Sequence, residues 1–375
     1  MITILYNTWF RALFLILARG PRCYSRVMKS SALARHDRLR KRVVTAVIVI
    51  MVVLIGAVGY LAHRQANSPS QVFQKSLALA LSTSSVSQKQ VTKLSNYTPK
   101  SNTVTFTIQY DVANVGSPSV AAVETSHVLN DTFNVKTYAD SSNSYGGVFV
   151  QTGKSSDPIV PTLNKWVQIR KDGTYDPNYV ATKDTVSTGS LPSVAFGATL
   201  TDDRLFLLGQ YIFGNFSASD RSNLLNFINA NDIFKYNPKT VTTTTLNGQK
   251  VYVYHVTFNT AALSRYNEKV AKLFNISPAD LQTFLRQLNL AIDKTNTLYI
   301  AVHSHQLVQV QTNVGLEKIT DSYSNYNDVT MPAVPKPGIP FAQFAADVNS
   351  VCENADTYHN TTSLGADTCI DLAFL

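Results

Sequence analysis

Cysteine is scarce in this 375-residue chain: Cys23, Cys352 and Cys369 are the only three, with no CxxC pair and no lipobox cysteine after an apolar segment. That leaves no thiolate set for a zinc site. Acidic residues are also few, 24 against 33 Lys and Arg. The deficit is local. Residues 1–42 hold ten of the basic residues and one acid, Asp37, so residues 43–375 carry 23 of each. The bulk of the chain is electroneutral, which excludes a nucleic-acid surface built on excess positive charge. Gly-x-Ser-x-Gly, Walker, GxGxxG, HExxH and EF-hand spacings are absent as well, and with them the enzyme classes they mark.

What is present first is an uncharged apolar run of 20 residues, Val43 to Ala62, directly after Arg38-Leu39-Arg40-Lys41-Arg42. It is long enough to cross a bilayer as a helix, and longer than the core of a cleavable signal. Basic flanks stay in the cytoplasm. The expected topology is a basic cytoplasmic segment 1–42, a transmembrane helix 43–62, an extracytoplasmic domain 63–340 and a C-terminal tail 341–375. In that topology Cys23 is a cytoplasmic thiol, while Cys352 and Cys369 lie outside with 16 residues between them, where a disulfide is expected. Such a bridge contributes roughly 3 kcal/mol to the tail in the chain-entropy model. Two free thiols or a metal pair are the alternatives, and no neighbouring His pair favours metal.

Pattern reading of residues 63–340 gives more strands than helices. Ser68-Pro69-x-Gln71 opens a helix carrying Val72, Phe73, Leu77 and Leu81. Residues 82–100 read as a polar connection. Residues 103–112 alternate, with Val104, Phe106, Ile108, Tyr110 and Val112 on one face, as in a half-buried antiparallel strand. Further strands are predicted near 121–128, 132–138, 147–151 and 165–170. Two helices follow, 201–213 and 217–230. A hairpin, 241–246 and 249–258, turns at Asn247-Gly248. Two more helices are predicted over 260–274 and 277–292, then a hairpin 297–302 and 307–314 and a strand near 316–328. A Pro-rich exit and a short helix after Pro340 complete the order. Helix stripes and strand faces must bury against one another, so the expected fold is α+β: a curved antiparallel sheet around helices, preceded by one transmembrane helix.

Candidate chemistry is thin. His303 and His305 fall on one strand face, but at a predicted hairpin tip where polar residues are expected anyway. His255 lies within a strand, and Asp202-Asp203 read as charges at a helix N-terminus. No catalytic residue, metal site or cofactor is expected. The informative payload is apolar and aromatic. Phe106, Ile108, Tyr110, Trp166, Leu205, Leu208, Ile212, Tyr252, Tyr254, Leu285, Leu288, Leu298 and Ile300 lie on faces able to form a core or to line a ligand cavity. The segment 201–213, more apolar than a surface helix, is expected as a movable cover.

The stretches LNGQKVYVYHVTFN (246–259), DKTNTLYIAVHSHQLVQVQT (293–312), ITDSYSNYNDVTMPAVPKP (319–337) and KWVQI (165–169) resemble the LolA-like superfamily. That group includes lipoprotein carriers, LppX/LprG-type lipid-binding lipoproteins and RseB-type sensor domains. The resemblance covers roughly residues 68–337 and rests on the order of strands and helices. It implies a half-barrel over helices with a hydrophobic cavity for acyl chains. The departures are a transmembrane helix in place of a lipid anchor and a cysteine-bearing tail. The reading is a non-enzymatic, membrane-anchored, extracytoplasmic protein that binds a lipid or lipoprotein. The alternatives are an envelope sensor that binds a protein partner, and a structural envelope protein.

Overall fold

The computed structural model describes residues 67–94, 103–128, 131–152, 164–175, 203–276, 296–314 and 317–344, with the single positions 278, 281, 282, 285 and 346. All belong to one compact unit, Ala66–Leu375. The segments 1–42 and 43–62, Leu288 and the Cys352/Cys369 pair lie outside the described residues.

Thirteen strands form one sheet. They are β1 (Ser85–Leu94), β2 (Thr103–Asp111), β3 (Ser119–Val128), β4 (Asp131–Ala139), β5 (Ser144–Thr152), β6 (Val167–Lys171), β7 (Thr174–Tyr175), β8 (Phe234–Lys235), β9 (Thr242–Leu246), β10 (Gln249–Phe258), β11 (Asn296–Ala301), β12 (Leu307–Val314) and β13 (Glu317–Ser324). The order is β7-β6-β5-β4-β3-β2-β1-β13-β12-β11-β10-β8, with β9 also on β10. The architecture is α+β, with a large curved antiparallel sheet and few helices. Two meanders, β1 to β7 and β10 to β13, meet where β1 pairs with β13 over Ser87–Leu94 and Glu317–Ser324.

β1 corrects the expected polar connection over 82–100. Its core-side positions are Val86, Gln88, Gln90 and Thr92, opposite Tyr110, Ile108, Phe106 and Val104 of β2. Three of the four are polar, so the apolar alternation that marks a half-buried strand is missing. Pairing on both edges makes the strand instead, as tertiary context overrides a local pattern.

The hairpin turns read as expected. Asn247 and Gly248 have φ of 51° and 76°, the positive pair of a type I′ turn. Asp172 and Gly173, between β6 and β7, repeat it at 51° and 82°.

α1 (Pro69–Ala80), α2 (Ala218–Ala230) and α3 (Thr260–Leu273) cover one sheet face. α1 starts with Pro69 in its first turn, and Val72, Phe73, Ser76, Leu77 and Ala80 are buried on one stripe. Ser68 precedes it without a side-chain cap bond. The caps of the other two are made: Ser217 Oγ accepts from Asp220 N at 3.1 Å and Asn259 Oδ1 from Ala262 N at 3.3 Å. Of the predicted helix 277–292, Pro278, Leu281, Gln282 and Leu285 are described and helical. α1 lies on β11, against α2, and α2 against α3.

The segment 201–213 departs from its expected helix. Asp203–Leu207 is a short 3-10 turn resting on β3 and β4. Gly209 then takes φ 148°, a conformation side-chain-bearing residues rarely adopt, and the chain turns away. Leu205, Leu208 and Ile212 are buried at 0%, 6% and 3% exposure, so this segment is core and not an exposed cover.

Candidate functional site

The covered face of the sheet is a wall of apolar and aromatic side chains. β2 contributes Phe106, Ile108 and Tyr110, β3 Val120 and Ala122, β10 Tyr254 and Val256, β11 Leu298 and Ile300, and β12 Leu307 and Val310; all are buried in a single cluster with the helices. Alternation puts most of them together, since side chains two apart on a strand share a face; Leu307 and Val310 are three apart, across the irregularity where Tyr299 pairs with Gln309 and Ile300 with Leu307. Aromatic rings run through this cluster. Phe73 of α1 meets Phe234, Tyr236 and Tyr254 at centroid distances of 5.5, 4.6 and 5.2 Å. Tyr211 joins Phe234 to Phe213 at 6.3 and 5.6 Å, and Phe213 reaches Tyr323 and Tyr326 at 5.2 and 5.8 Å.

The tyrosine hydroxyls in this wall have partners, as buried polar groups require. Tyr252 donates to Asn67 O and Tyr254 to Pro69 O, both at 2.8 Å, and Tyr326 to Leu307 O at 2.6 Å. Tyr211 and Ser76 share a bond of 2.5 Å. Burial pushes the phenols of Tyr110, Tyr211, Tyr254 and Tyr266 well above their ordinary value, so they stay neutral at any physiological pH.

A charged group stands on the same wall. Asp321 of β13 accepts from Gln88 Nε2 at 2.8 Å and Gln90 Nε2 at 3.0 Å, both on Oδ1. Gln88 Oε1 in turn accepts from Tyr110 Oη. Burial raises the Asp321 carboxyl above its usual range, and the two amide bonds oppose the shift. Gln88, Gln90, Asp321 and Tyr323 are only half-buried, beside buried Phe106, Ile108 and Val310. The apolar cover is therefore broken here, over β1 and β13.

Of the thirteen candidate cavity residues, Phe106, Ile108, Tyr110, Leu205, Leu208, Ile212, Tyr254, Leu285, Leu298 and Ile300 come together in this cluster, each at 7% exposure or less. Tyr252 packs at its margin, half-buried. Trp166 does not join them. It packs with Ala121, Tyr138, Tyr145 and Met331 on the opposite face, because Ala121 lies between the inward Val120 and Ala122. Leu288 is outside the described residues. Sequence reasoning missed Gln88, Gln90, Asp321 and Tyr323; the signal lay in their even spacing, which polar composition obscured.

Among the described residues, His255, His303 and His305 hold no comparable arrangement. His255 is exposed, its Nδ1 3.2 Å from Thr297 Oγ1. His303 is exposed at the β11–β12 turn, and His305, half-buried there, takes φ 60°. Its pKa is lowered by burial and by the charges of Lys75 and His303. Among the described residues no group of three or more His, Cys, Asp or Glu is placed to hold a metal. A second, shallow feature lies at the sheet's far end, where Gly338 N donates to Trp166 O at 2.7 Å. There a groove of about 770 Å³ opens between Gln168–Thr174 and Pro337–Phe341.

No family model matches the sequence, and no curated protein matches it. Solved structures do show similarity. LprF from Mycobacterium bovis is 11% identical, over 71% of this chain and 95% of that one, with a TM-score of 0.34. The lipoprotein LppX from Mycobacterium tuberculosis is 13% identical, over 69% and 95%, with a TM-score of 0.31. A LolA superfamily protein from Nitrosomonas europaea is 8% identical, over 71% and 95%, with a TM-score of 0.22. The sequence resembles this same LolA- and LppX-like group.

Proposed function

We propose that this chain is a membrane-anchored, extracytoplasmic binding protein for a lipid or acylated ligand, with no covalent chemistry of its own. Residues 43–62 serve as a single-pass anchor with the N-terminus cytoplasmic. The acyl chain lies between the sheet and its covering layer, entering where the wall is half-open.

The observation that carries this reading is the break over β1 and β13. Half-buried Gln88, Gln90, Asp321 and Tyr323 sit amid buried Phe106, Ile108 and Val310, with the ring of Phe213 5.2 Å from that of Tyr323. An apolar wall with a few convergent polar groups at an opening is the usual make-up of a small-molecule site. Each Å² of acyl surface taken from water there contributes about 25 cal/mol. Rings and aliphatic side chains face one another between the wall and its cover, and hydrogen bonds of Tyr252 to Asn67 O, Tyr254 to Pro69 O and between Tyr211 and Ser76 tie the α1 segment to it.

The test is native mass spectrometry of the full chain with lipid extraction. Near-stoichiometric acyl lipid is the expected result. A clean apo-protein that also takes up no fluorescent neutral acyl ester sinks the reading, and leaves the protein-partner alternative to be tested by deleting residues 1–35.

A further inference from the structure

The carboxylate of Asp321 is out of keeping with the wall it stands on. Across the strands it faces Gln90 of β1 and Val310 of β12, and Gln90 and Gln88 face Phe106 and Ile108 of β2. A carboxylate has about four acceptor positions. Here two donors reach it, both at Oδ1. Among the described residues no cation pairs with it, and Oδ2 accepts no hydrogen bond.

A purely structural role, clamping β1 to β13, is not a sufficient reason for a charge. Elsewhere the same sheet clamps its strands with neutral pairs. Thr125 donates to Asn134 at 2.8 Å, Asn325 Nδ2 to Ser87 Oγ at 3.3 Å, and Thr312 to Asn296. An asparagine at 321 would accept from the same two amides without the cost of desolvating a charge. What the charge adds is a strong acceptor at Oδ2, at the point where the cover is broken. Gln88 is held by Tyr110, and Gln90 completes the grip, so the carboxylate is pre-oriented before a ligand arrives.

We propose that Asp321, fixed by Gln88 and Gln90, is the headgroup anchor of this site: it selects amphiphiles whose headgroup presents a hydrogen-bond donor, an ammonium or a hydroxyl, and disfavours anionic ones. The assignment rests on the acyl-binding reading above and adds to it the polarity of the ligand. A donor headgroup gains a charge-assisted hydrogen bond in a partly desolvated site. A carboxylate or phosphate headgroup meets a like charge there, which supplies the repulsive half of the selectivity.

The full chain in phosphatidylcholine nanodiscs, with empty nanodiscs as blank, is loaded with a neutral pyrene-alkane. It is then challenged at pH 7.5 with decylammonium, 1-decanol, methyl decanoate and decanoate. Decylammonium and decanol are expected to displace the probe at roughly tenfold lower concentration than methyl decanoate, with decanoate weakest. In Asp321→Asn the four should fall within about threefold of one another, with methyl decanoate unchanged. The basic segment 1–42 biases the whole chain toward the anion, so it does not generate the expected order. Wild-type protein that ranks decanoate with decylammonium, or an Asn variant that keeps the preference, overturns the headgroup assignment. Failure of every probe, methyl decanoate included, overturns the acyl-binding reading itself. The wild-type ranking needs no variant, so an Asn variant that does not fold leaves the proposal open to refutation.

Discussion

Asn267 of α3 holds Gly209 from both sides: its Oδ1 accepts from Gly209 N at 2.8 Å and its Nδ2 donates to Gly209 O at 3.1 Å. Asn267 is fully buried, and its Nδ2 also donates to Leu263 O at 2.9 Å. One side chain thus satisfies a backbone turn that has no helix or strand to do so. Asn267→Leu should destabilise the domain by about 2–4 kcal/mol, since two backbone groups lose their partners. Asn267→Asp should not rescue it, because a second oxygen replaces the donor to Gly209 O. Denaturant midpoints of both variants check this; a loss under about 0.5 kcal/mol in either would show that the turn is held by something else.

Gly209 itself is the second test. A methyl at this position meets nothing within 4 Å, yet φ is 148°. Gly209→Ala should therefore cost roughly 1–3 kcal/mol through backbone strain alone. Thermal melts report it, and an unchanged melting temperature contradicts it.

Leu205 lies in the core at 0% exposure. Leu205→Ser should lower the melting temperature and ligand uptake together, by roughly 2–4 kcal/mol in stability. A variant that keeps its melting temperature and loses uptake would restore the idea of a movable cover.

The Asp321 carboxyl makes the stability of the domain pH-dependent. Burial raises its folded pKa above the unfolded value. Between the two values the folded state binds more protons than the unfolded one, so stability falls as pH rises from the ordinary carboxylate range through the raised value. Asp321→Asn removes this dependence. The variant should melt higher than wild type at pH 7, and the gap should narrow on acidification toward pH 4. Melting curves across that range decide it; a gap that widens on acidification has the wrong sign.

Phe73 is 1% exposed and touches three aromatic rings. Phe73→Ala should cost about 3–5 kcal/mol, whereas exposed Val334→Ala should stay within about 0.5 kcal/mol. Comparable losses at the two sites would mean that the junction of α1 with the sheet is not a core.

Strands and helices whose inward positions are all apolar were legible from local pattern alone. The alternation of β2, the stripe of α1 and the Asn247-Gly248 turn are instances, because period and turn chemistry are local properties of the chain. The site was less legible. Most of its apolar residues could be named, since apolar strand faces have few places to go. Trp166 could not be assigned to a face, because that depends on the register of β6 against β5.

By itself, then, the sequence determined the class of architecture, the antiparallel pairing of neighbouring strands and the electroneutrality of the region beyond residue 42. Only the tertiary structure decided that 85–94 is a central strand and that 203–213 is core. Likewise, it brought Gln88, Gln90 and Asp321 together across the β1–β13 seam. The reason is physical. These features rest on contacts between residues far apart in the chain, 58 positions between Gly209 and Asn267 and 233 between Gln88 and Asp321. A polar residue on an inward face leaves no periodic trace of the partner that makes its burial tolerable.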